Sequence, residues 1–377
     1  MISSIDQIIS LGSVFLEKTI LELNELGFFE TKLQLDHLCF RVETAEQYAD
    51  YKKLFSKNGI LITEILVNGR NVSTFRLRQA FESKHFKVDI IELPEPKLGS
   101  SYPLGFEHVE FVTRKSFSKL TSDHPKLEFK ISGQKNITQE LCLKLKTGQA
   151  KFHYCSLERV IEIEESKIQD VIFDLDGTLV DAMDHVLEII RVSFSEILKR
   201  DITIDEVKQK HQFEFSKLFE AFGIEKDSDK KQALKRWTEI SKKLKYHFLE
   251  NIHSMLHELK KTHLNFHLWT AREEESAMYM LKELGIESYF KTMSFSNIQN
   301  SKPNPLNLNF NFSNALKNSY VMVGDSSTDM KAAKNINAIA VAALWDKHAV
   351  EENLVASNGE LYFKDVSDFT QWILSRT

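Results

Sequence analysis

The pattern of apolar and polar residues changes character about halfway along the chain. The first part consists mainly of short runs with the composition of strands. These runs are LDHLCFRV (35–42), GILITEILV (59–67), STFRLRQAF (73–81), KVDIIELP (87–94), FEHVEFVT (106–113), LCLKLKT (141–147) and AKFHYCSL (150–157). The pattern also predicts an amphipathic helix at the N-terminus, with Gly12 on its apolar stripe, and a second helix over 44–59. This part of the chain is therefore expected to be an α+β domain.

The second part alternates strands with helices. A strand over 170–175 precedes a helical region of roughly 184–262, and shorter segments then alternate as far as residue 344. These segments are NFHLWT, EEESAMYMLKELG, KTMSFS, YVMVGD, TDMKAAKNI and AIAVAAL. The alternation predicts an α/β doubly wound parallel sheet with an α-helical cap. We place the boundary in the charged segment EIEESKIQ, which gives domains over 1–165 and 168–377.

Composition narrows the functional classes. A net charge of −5 argues against a general nucleic-acid-binding surface. The three cysteines form no C-x-x-C pair and no disulfide framework, which suits a reducing compartment. No apolar run approaches the roughly 18 residues of a membrane span, and acidic residues interrupt the N-terminal stretch, unlike a signal peptide. We therefore expect a cytoplasmic protein without nucleic-acid or membrane partners, and the sequence leaves the oligomeric state open.

Four features of the second part fall at or just after the carboxyl ends of predicted strands, where open α/β sheets bind their ligands. They are the pair Asp174 and Asp176, Thr270 in LWTAR, Lys302 in SKPNP, and the pair Asp325 and Asp329 in VGDSSTDM. Carboxylates gathered at one edge repel one another unless a cation lies among them. Oxygen ligands with room left for phosphate indicate Mg²⁺. The sequence thus predicts a magnesium site formed by the four aspartates.

In order and spacing, these features resemble the four motifs of the haloacid dehalogenase superfamily, over about 168–377. DLDGTLVD corresponds to the first motif, Thr270 to the second, Lys302 to the third and GDSSTD to the fourth. The resemblance implies that Asp174 is a nucleophile forming an aspartyl-phosphate and that Asp176 is the general acid and base.

The same resemblance implies roles for the remaining motif residues. Mg²⁺ would be held by the Asp174 carboxylate, the Asp176 backbone carbonyl and Asp325, with Asp329 in support. Thr270 would bind a phosphoryl oxygen, and Lys302 would neutralise charge on the nucleophile and the phosphoryl group.

The second aspartate of the first motif favours phosphotransfer, because dehalogenase branches do not carry it. The helical insertion resembles the cap of the phosphoglycolate-phosphatase and β-phosphoglucomutase branch, so a phosphatase is expected and a phosphomutase is the alternative. Arg191, Lys210 and His211 of the cap are candidates for substrate contact, or members of a solvated helix face. Arg272 either reads the substrate or pairs with Glu275.

Residues with metal-ligand chemistry also lie in strand runs of the first part: His37, Glu92, His108 and His153. Two of these runs, LDHLCFRV and FEHVEFVT, both place an acidic residue before a histidine and apolar residues after it. This likeness predicts two βαβββ modules, each giving one ligand from its first strand and one from its last.

The arrangement resembles the vicinal oxygen chelate (glyoxalase-like) superfamily, most closely its YecM-like branch, over about 1–165. The resemblance implies a divalent metal with open positions for a bidentate oxygen substrate. Three imidazoles and one carboxylate suit Zn²⁺, Fe²⁺, Ni²⁺ or Mn²⁺, and affinity alone does not choose among them. The alternative for each histidine is a structural or surface role, which is expected for His85.

Three functions remain open at this point. The first is a Mg²⁺-dependent hydrolase of phosphoric monoesters acting on a small phosphorylated metabolite, fused to a metal-binding glyoxalase-like domain. The second makes an N-terminal metal-dependent isomerase, lyase or dioxygenase the main activity. The third is a non-catalytic metabolite-binding protein in which one or both sites are idle.

Overall fold

The structure is a computed structural model of the chain, and it describes residues 4–28, 30, 33–97, 99, 102–133, 138–210, 215–297, 300–309 and 319–377. The chain divides into two compact units, Met1–Glu164 and Glu165–Thr377. Within the described ranges, no helix is both long and apolar enough to cross a membrane.

The first unit contains a mixed sheet. Its strands are β1 (Gln34–Arg41), β2 (Gly59–Val67), β3 (Arg70–Glu82), β4 (Lys87–Pro94), β5 (Gly105–Val112), β6 (Phe129–Ser132), β7 (Glu140–Lys144) and β8 (Gln149–His153). Its helices are α1 (Ile5–Glu25), α2 (Ala45–Asn58), α3 (Phe117–Asp123) and α4 (Leu157–Glu164). Among the described residues the strand order is β2-β3-β4-β1-β5-β8-β7-β6.

The order of elements in this unit repeats once. β1, α2, β2, β3 and β4 form one βαβββ module, and β5, α3, β6, β7 and β8 form a second. In each module the first strand pairs in parallel with the last, β1 with β4 and β5 with β8. The two first strands, β1 and β5, pair antiparallel and join the modules. The first and last strands of both modules are therefore neighbours, as the paired-module prediction requires.

Helix α1 explains the glycine in its apolar stripe. The helix begins at the N-cap Ser4, whose side chain accepts a hydrogen bond from the Gln7 backbone N–H. A Cβ at Gly12 would come within 2.4 Å of the Phe81 ring and 2.7 Å of the Phe106 ring. The glycine therefore allows α1 to pack closely on the sheet, which the pattern alone had shown only as a weakness in the helix.

The second unit contains a wholly parallel sheet. Its strands are β9 (Asp170–Phe173), β10 (Asn265–Trp269), β11 (Phe290–Ser294), β12 (Tyr320–Gly324), β13 (Ile339–Ala343) and β14 (Leu361–Phe363). The helices are α5 (Met183–Leu198), α6 (Ile204–Lys210), α7 (Phe215–Ala221), α8 (Asp227–Ser241), α9 (Ile252–Leu259), α10 (Glu274–Glu283), α11 (Ser327–Asn335), α12 (Glu351–Ala356) and α13 (Val366–Leu374). The described strands lie in the order β11-β10-β9-β12-β13-β14. The chain thus winds outward in both directions from β9, and the predicted fold class is confirmed.

The cap is the group of helices α5 to α8, which share an apolar core of their own. Phe194, Phe219 and Leu218 are among its most buried residues, each at most 2% exposed. Helix α9 packs instead against α13, beside the sheet. The helical region predicted over 184–262 is therefore divided between the cap and the sheet layer, because its last helix has its apolar partner outside the cap.

Candidate active site and candidate metal centre

The first motif of the second unit follows β9 directly. The backbone N–H of Asp174 donates to the carbonyl of Val323 in the neighbouring strand at 2.9 Å, which continues the sheet by one residue. Gly177 then turns the chain with φ of +78°, and a Cβ there would lie 2.4 Å from Oδ2 of Asp325. Only glycine suits both the left-handed backbone and this close approach. The turn places the first-motif carboxylate beside the fourth motif.

Lys302 is buried between two carboxylates. It is 1% exposed, and its Nζ lies 2.6 Å from Oδ1 of Asp174 and 2.6 Å from Oδ1 of Asp329. The other oxygen of Asp329 accepts hydrogen bonds from the backbone N–H and the hydroxyl of Ser326, at 2.9 and 2.6 Å. Both oxygens of Asp329 are therefore engaged, and this residue holds Lys302 against Asp174.

A carboxylate cluster, defined here as Asp174, Asp325 and Asp329, has ligand atoms within 4.8 Å of one another and is fully buried. Burial raises the pKa of Asp174 to about 7, with Lys302 opposing and Asp329 adding to the shift. Burial and the neighbouring carboxylates also raise the pKa of Asp325 well above its ordinary value. Crowded carboxylates of this kind are relieved by a cation. Because all the ligand atoms are oxygens, the cluster fits Mg²⁺.

The second aspartate of the first motif, Asp176, has a different partner. Both of its carboxylate oxygens accept from the guanidinium of Arg272, one from Nε at 2.9 Å and the other from Nη2. Arg272 is 2% exposed, and its Nη1 donates to Ser276 at 2.8 Å and to Ser241 of the cap at 3.3 Å. Neither sequence interpretation of Arg272 described this pairing, and Glu275 pairs with Lys242 instead.

Thr270 stands at the end of β10 in a hydrogen-bonded loop. Its Oγ1 accepts from the backbone N–H of Arg272 at 3.1 Å, and its carbonyl accepts from Ser296 Oγ at 3.0 Å. Ser296 Oγ in turn accepts from the backbone N–H of Lys302 at 3.2 Å. Ser296 thus ties the second motif to the third. Its contribution could not be read from the motifs, since a serine in a loop carries no signature of its own.

A cleft of about 550 Å³, including the space at its mouth, joins these motifs to the cap. Its described lining comprises Asp174, Asp176, Met183, Val186, Phe215, Leu218, Trp237, Thr270, Ala271, Arg272, Lys302, Ser326 and Thr328.

The cap residues proposed from sequence do not line this cleft in the part of the chain that is described. Arg191 pairs with Glu188 on an exposed helix face, and Lys210 pairs with Glu206. His211 lies outside the described residues. The alternative interpretation, a solvated helix face, fits Arg191 and Lys210.

The first unit contains a histidine cluster, defined as His37, His108 and His153. All three side chains are buried, at 2%, 2% and 9% exposure. The ring centroid of His37 lies 6.3 Å from that of His108 and 6.3 Å from that of His153. The strands that pair at the junction of the modules bring together residues up to 116 positions apart in sequence, from 37 to 153.

The three imidazoles are held in the same way. Nδ1 of His37 lies 2.9 Å from Asp36 Oδ2, Nδ1 of His108 lies 3.1 Å from Glu107 Oε2, and Nδ1 of His153 lies beside the carbonyl of Cys155. Each partner is an acceptor, so Nδ1 is a donor, and in the neutral ring the lone pair lies on Nε2. In the described part of the chain, all three Nε2 atoms are buried without a hydrogen-bond partner. This is the arrangement in which histidines bind metal.

The carboxylate at the centre of the histidine cluster is Glu110. Its Oε1 lies 3.0 Å from His108 Nε2 and 3.6 Å from His37 Nε2, and its Oε2 lies 3.5 Å from His153 Nε2. Glu92, the predicted ligand, lies 4.0 Å from His108 Nε2. It still groups with His37 and His108 as a possible ligand set. Glu110 was missed although it lies two residues after His108, on the same face of β5.

Charge in the histidine cluster is balanced by close partners. Burial lowers the pKa of His37, but Glu110 and Asp36 together raise it more. Burial also lowers the pKa of His108, but Cys39, Glu107 and Glu110 together hold this pKa well above its ordinary value. Glu110, despite its burial, has its pKa held well below the usual range by Lys151 and the histidines.

Comparison with known proteins finds a separate family for each unit. Residues 171–343 match the family model described as haloacid dehalogenase-like hydrolase, and residues 5–164 match the model described as YecM protein. Protein YecM of Escherichia coli (strain K12) is 28% identical over 158 residues, covering 37% of this chain and 84% of that protein. Pyrophosphatase PpaX of Listeria monocytogenes is 22% identical over 198 residues, covering 48% of this chain and 84% of that protein. A solved structure described as a predicted phosphatase from Clostridium acetobutylicum is 17% identical with a TM-score of 0.49, covering 56% of this chain and 100% of that chain.

These matches confirm both resemblances found in the sequence. The second unit is similar to haloacid dehalogenase-like hydrolases, and the first is similar to YecM proteins.

Proposed function

We propose that the second unit is a Mg²⁺-dependent phosphatase that hydrolyses a small phosphorylated metabolite through an aspartyl-phosphate on Asp174. The observation that carries the proposal is the buried carboxylate cluster with Lys302 at the carboxyl edge of the parallel sheet. The similarity to haloacid dehalogenase-like hydrolases supports it. We also propose that the two domains span residues 1–165 and 168–377.

The motif residues have separate roles in phosphoryl transfer. Mg²⁺, when bound by Asp174, Asp325 and the carbonyl of Asp176, supplies positive charge to the phosphoryl oxygens. An oxygen of Asp174 attacks phosphorus in line with the leaving alcohol. Lys302, held by Asp329, offsets the charge of the nucleophile and the phosphoryl group. Thr270 donates to a phosphoryl oxygen.

Asp176 acts at both stages of this reaction. As an acid it gives a proton to the leaving alcohol, and as a base it takes one from the water that attacks the aspartyl-phosphate. The bidentate pair with Arg272 occupies both of its oxygens. That arrangement suits the ionised form, and therefore the second stage. In the first stage the protonated side chain must turn away from Arg272 toward the leaving oxygen.

The experiment that tests the proposal is release of inorganic phosphate from a panel of phosphomonoesters by the full chain with Mg²⁺. We expect wild type to be active and Asp174→Asn to lose activity by a factor of about 10⁴ or more. Asp227→Asn, an exposed change on the cap, is the control. Phosphate release that is equal in wild type and Asp174→Asn would contradict the proposal. Transfer of the phosphoryl group between two sugar hydroxyls without phosphate release would instead favour the phosphomutase.

A second candidate function belongs to the first unit. We propose a divalent transition-metal site formed by His37, His108 and His153 with Glu110 or Glu92, serving an isomerase, lyase or dioxygenase reaction. The three converging Nε2 atoms without partners in the described ranges carry this proposal. Imidazole donors fit Zn²⁺, Fe²⁺, Ni²⁺ or Mn²⁺ better than Mg²⁺.

Metal analysis of the full chain tests the second proposal. After purification without chelators, or after reconstitution, we expect about one transition-metal ion per chain. His37→Ala or His108→Ala should lose it, whereas His85→Ala, which changes an exposed histidine, should retain it. Wild-type protein that takes up no metal under either condition would overturn the proposal.

A further inference from the structure

The cleft of the second unit has two walls of different chemistry. One wall is polar and consists of the motif residues described above. The other belongs to the cap, including the start of α5, and its described residues are apolar or aromatic. They are Met183, Val186, Phe215, Leu218 and Trp237, all at most 7% exposed. A group attached to a phosphoryl at Asp174 and held inside the cleft would contact this second wall.

The cationic side chains that line the cleft in the described part of the chain are already paired with carboxylates. Among its described lining residues, the cations are Lys302 and Arg272. Lys302 is paired with Asp174 and Asp329, and Arg272 is paired with Asp176. A second phosphoryl or carboxylate group on the leaving side would therefore meet apolar side chains, where an uncompensated charge is unfavourable. The wall favours a leaving group without charge.

Aromatic rings form part of this apolar wall. Trp237 is 7% exposed and packs edge-on against Phe215 at 5.9 Å between ring centroids.

We propose that the substrate is the phosphate monoester of an uncharged, largely apolar alcohol or phenol. This proposal depends on the phosphatase function proposed above. In the reaction the P–O ester bond breaks, and the alcohol leaves with the proton of Asp176. Water then supplies the oxygen that releases phosphate from Asp174, and its proton returns to Asp176. Pyrophosphate and the phosphates of polyols or hydroxy acids are poor substrates on this proposal.

A matched set of substrates tests the apolar wall. Propyl phosphate and glycerol 3-phosphate share a three-carbon skeleton and differ by two hydroxyl groups. With full-length protein and Mg²⁺, we expect kcat/KM for propyl phosphate to exceed that for glycerol 3-phosphate by about tenfold or more, because buried hydroxyls would lack partners. Pyrophosphate should be poorer still. Equal or better turnover of glycerol 3-phosphate or pyrophosphate would overturn this inference and leave the phosphatase standing, whereas no phosphate from any compound would overturn both.

Discussion

Each unit buries a group of ionisable side chains, but the two groups are constructed differently. In the second unit the carboxylates follow the ends of parallel strands, so the turns of β9 and β12 deliver Asp174 and Asp325 to one edge. In the first unit the histidines lie within strands, on one face of the sheet near the junction of β1, β5 and β8. The first kind of site can be predicted from short local sequence motifs. The second depends on which strands become neighbours.

The two groups also balance their charge differently. The carboxylate cluster contains one cation, Lys302, for three carboxylates, so the pKa values of Asp174 and Asp325 are raised. The histidine cluster pairs each imidazole with an acceptor and Glu110 with Lys151, at 3.1 Å. The first cluster therefore calls for a hard cation to relieve repulsion, and the second offers imidazole nitrogens, which suit a softer metal once they are deprotonated. Substitutions in one cluster should therefore leave the chemistry of the other unchanged.

Removal of the buried cation should affect the second unit alone. We expect Lys302→Met to lower kcat for phosphate release by about 10²- to 10³-fold, because the charge on Asp174 and the phosphoryl group is no longer offset. Lys347→Met, which removes an exposed lysine paired with Asp184, is the control. Transition metal bound to the first unit should be unchanged in both variants. A Lys302→Met protein that is folded and as active as wild type would contradict the role given to Lys302.

The two candidate carboxylates of the first unit can be told apart. Glu110→Gln should weaken transition-metal binding by about 10- to 100-fold, the size of effect seen when groups around a metal are altered. Glu92→Gln should weaken it less, since Glu92 lies 4.0 Å from His108 Nε2, whereas the Glu110 oxygens lie within 3.6 Å of the Nε2 atoms of all three histidines. Isothermal titration of the metal into chelator-treated protein measures both. The opposite order would favour the sequence-based assignment of Glu92 as the ligand.

The pair of Arg272 and Asp176 makes a prediction about turnover. Arg272→Lys keeps the charge but loses the bidentate geometry. We expect a loss of about tenfold in kcat, because Asp176 is held less firmly for its two proton transfers. Arg191→Lys, on the exposed cap face, should leave kcat unchanged. An Arg272→Lys protein that is as active as wild type would contradict this role of the pair.

Magnesium binding to the second unit should depend on pH, because a ligand carboxyl there has a raised pKa. Because the pKa of Asp174 is raised to about 7, a proton occupies this carboxyl at lower pH and must leave when Mg²⁺ binds. Affinity should therefore rise with pH, by about eightfold between about pH 6 and 7.5 for the Asp174 proton alone, and by more where Asp325, whose pKa is also raised, releases a proton too. Titration calorimetry in buffers of different ionisation enthalpy measures the released proton. Affinity independent of pH in this window would contradict the raised pKa.

The sequence predicted different amounts of the two sites for physical reasons. Strand–helix alternation and the spacing of Asp174, Thr270, Lys302 and Asp325 were enough to predict a parallel sheet and one shared edge. The partner of Arg272 was not predictable, since it depends on how the loop after β10 folds back toward Asp176. Glu110 shares a face of β5 with His108, two residues before it, but the sequence does not show that the strands carrying His37 and His153 meet this face.

The cap illustrates the same limit. Its helices were evident from composition, yet the division of the predicted 184–262 region between cap and sheet layer was not. Helix α9 has an apolar face like those of α5 and α8, and only its partner α13, more than 100 residues later, shows where it packs.

The most direct test of the phosphatase is the capture of its covalent intermediate. Full-length protein is mixed with 4-nitrophenyl phosphate and Mg²⁺, quenched in acid within one turnover, digested and examined by mass spectrometry. We predict one phosphoryl group on the peptide that contains Asp174, located on that residue by fragmentation and absent from Asp174→Asn. Phosphate release by wild type with no phosphoryl group on Asp174, or with the group on another side chain, would contradict the assignment of Asp174 as the nucleophile.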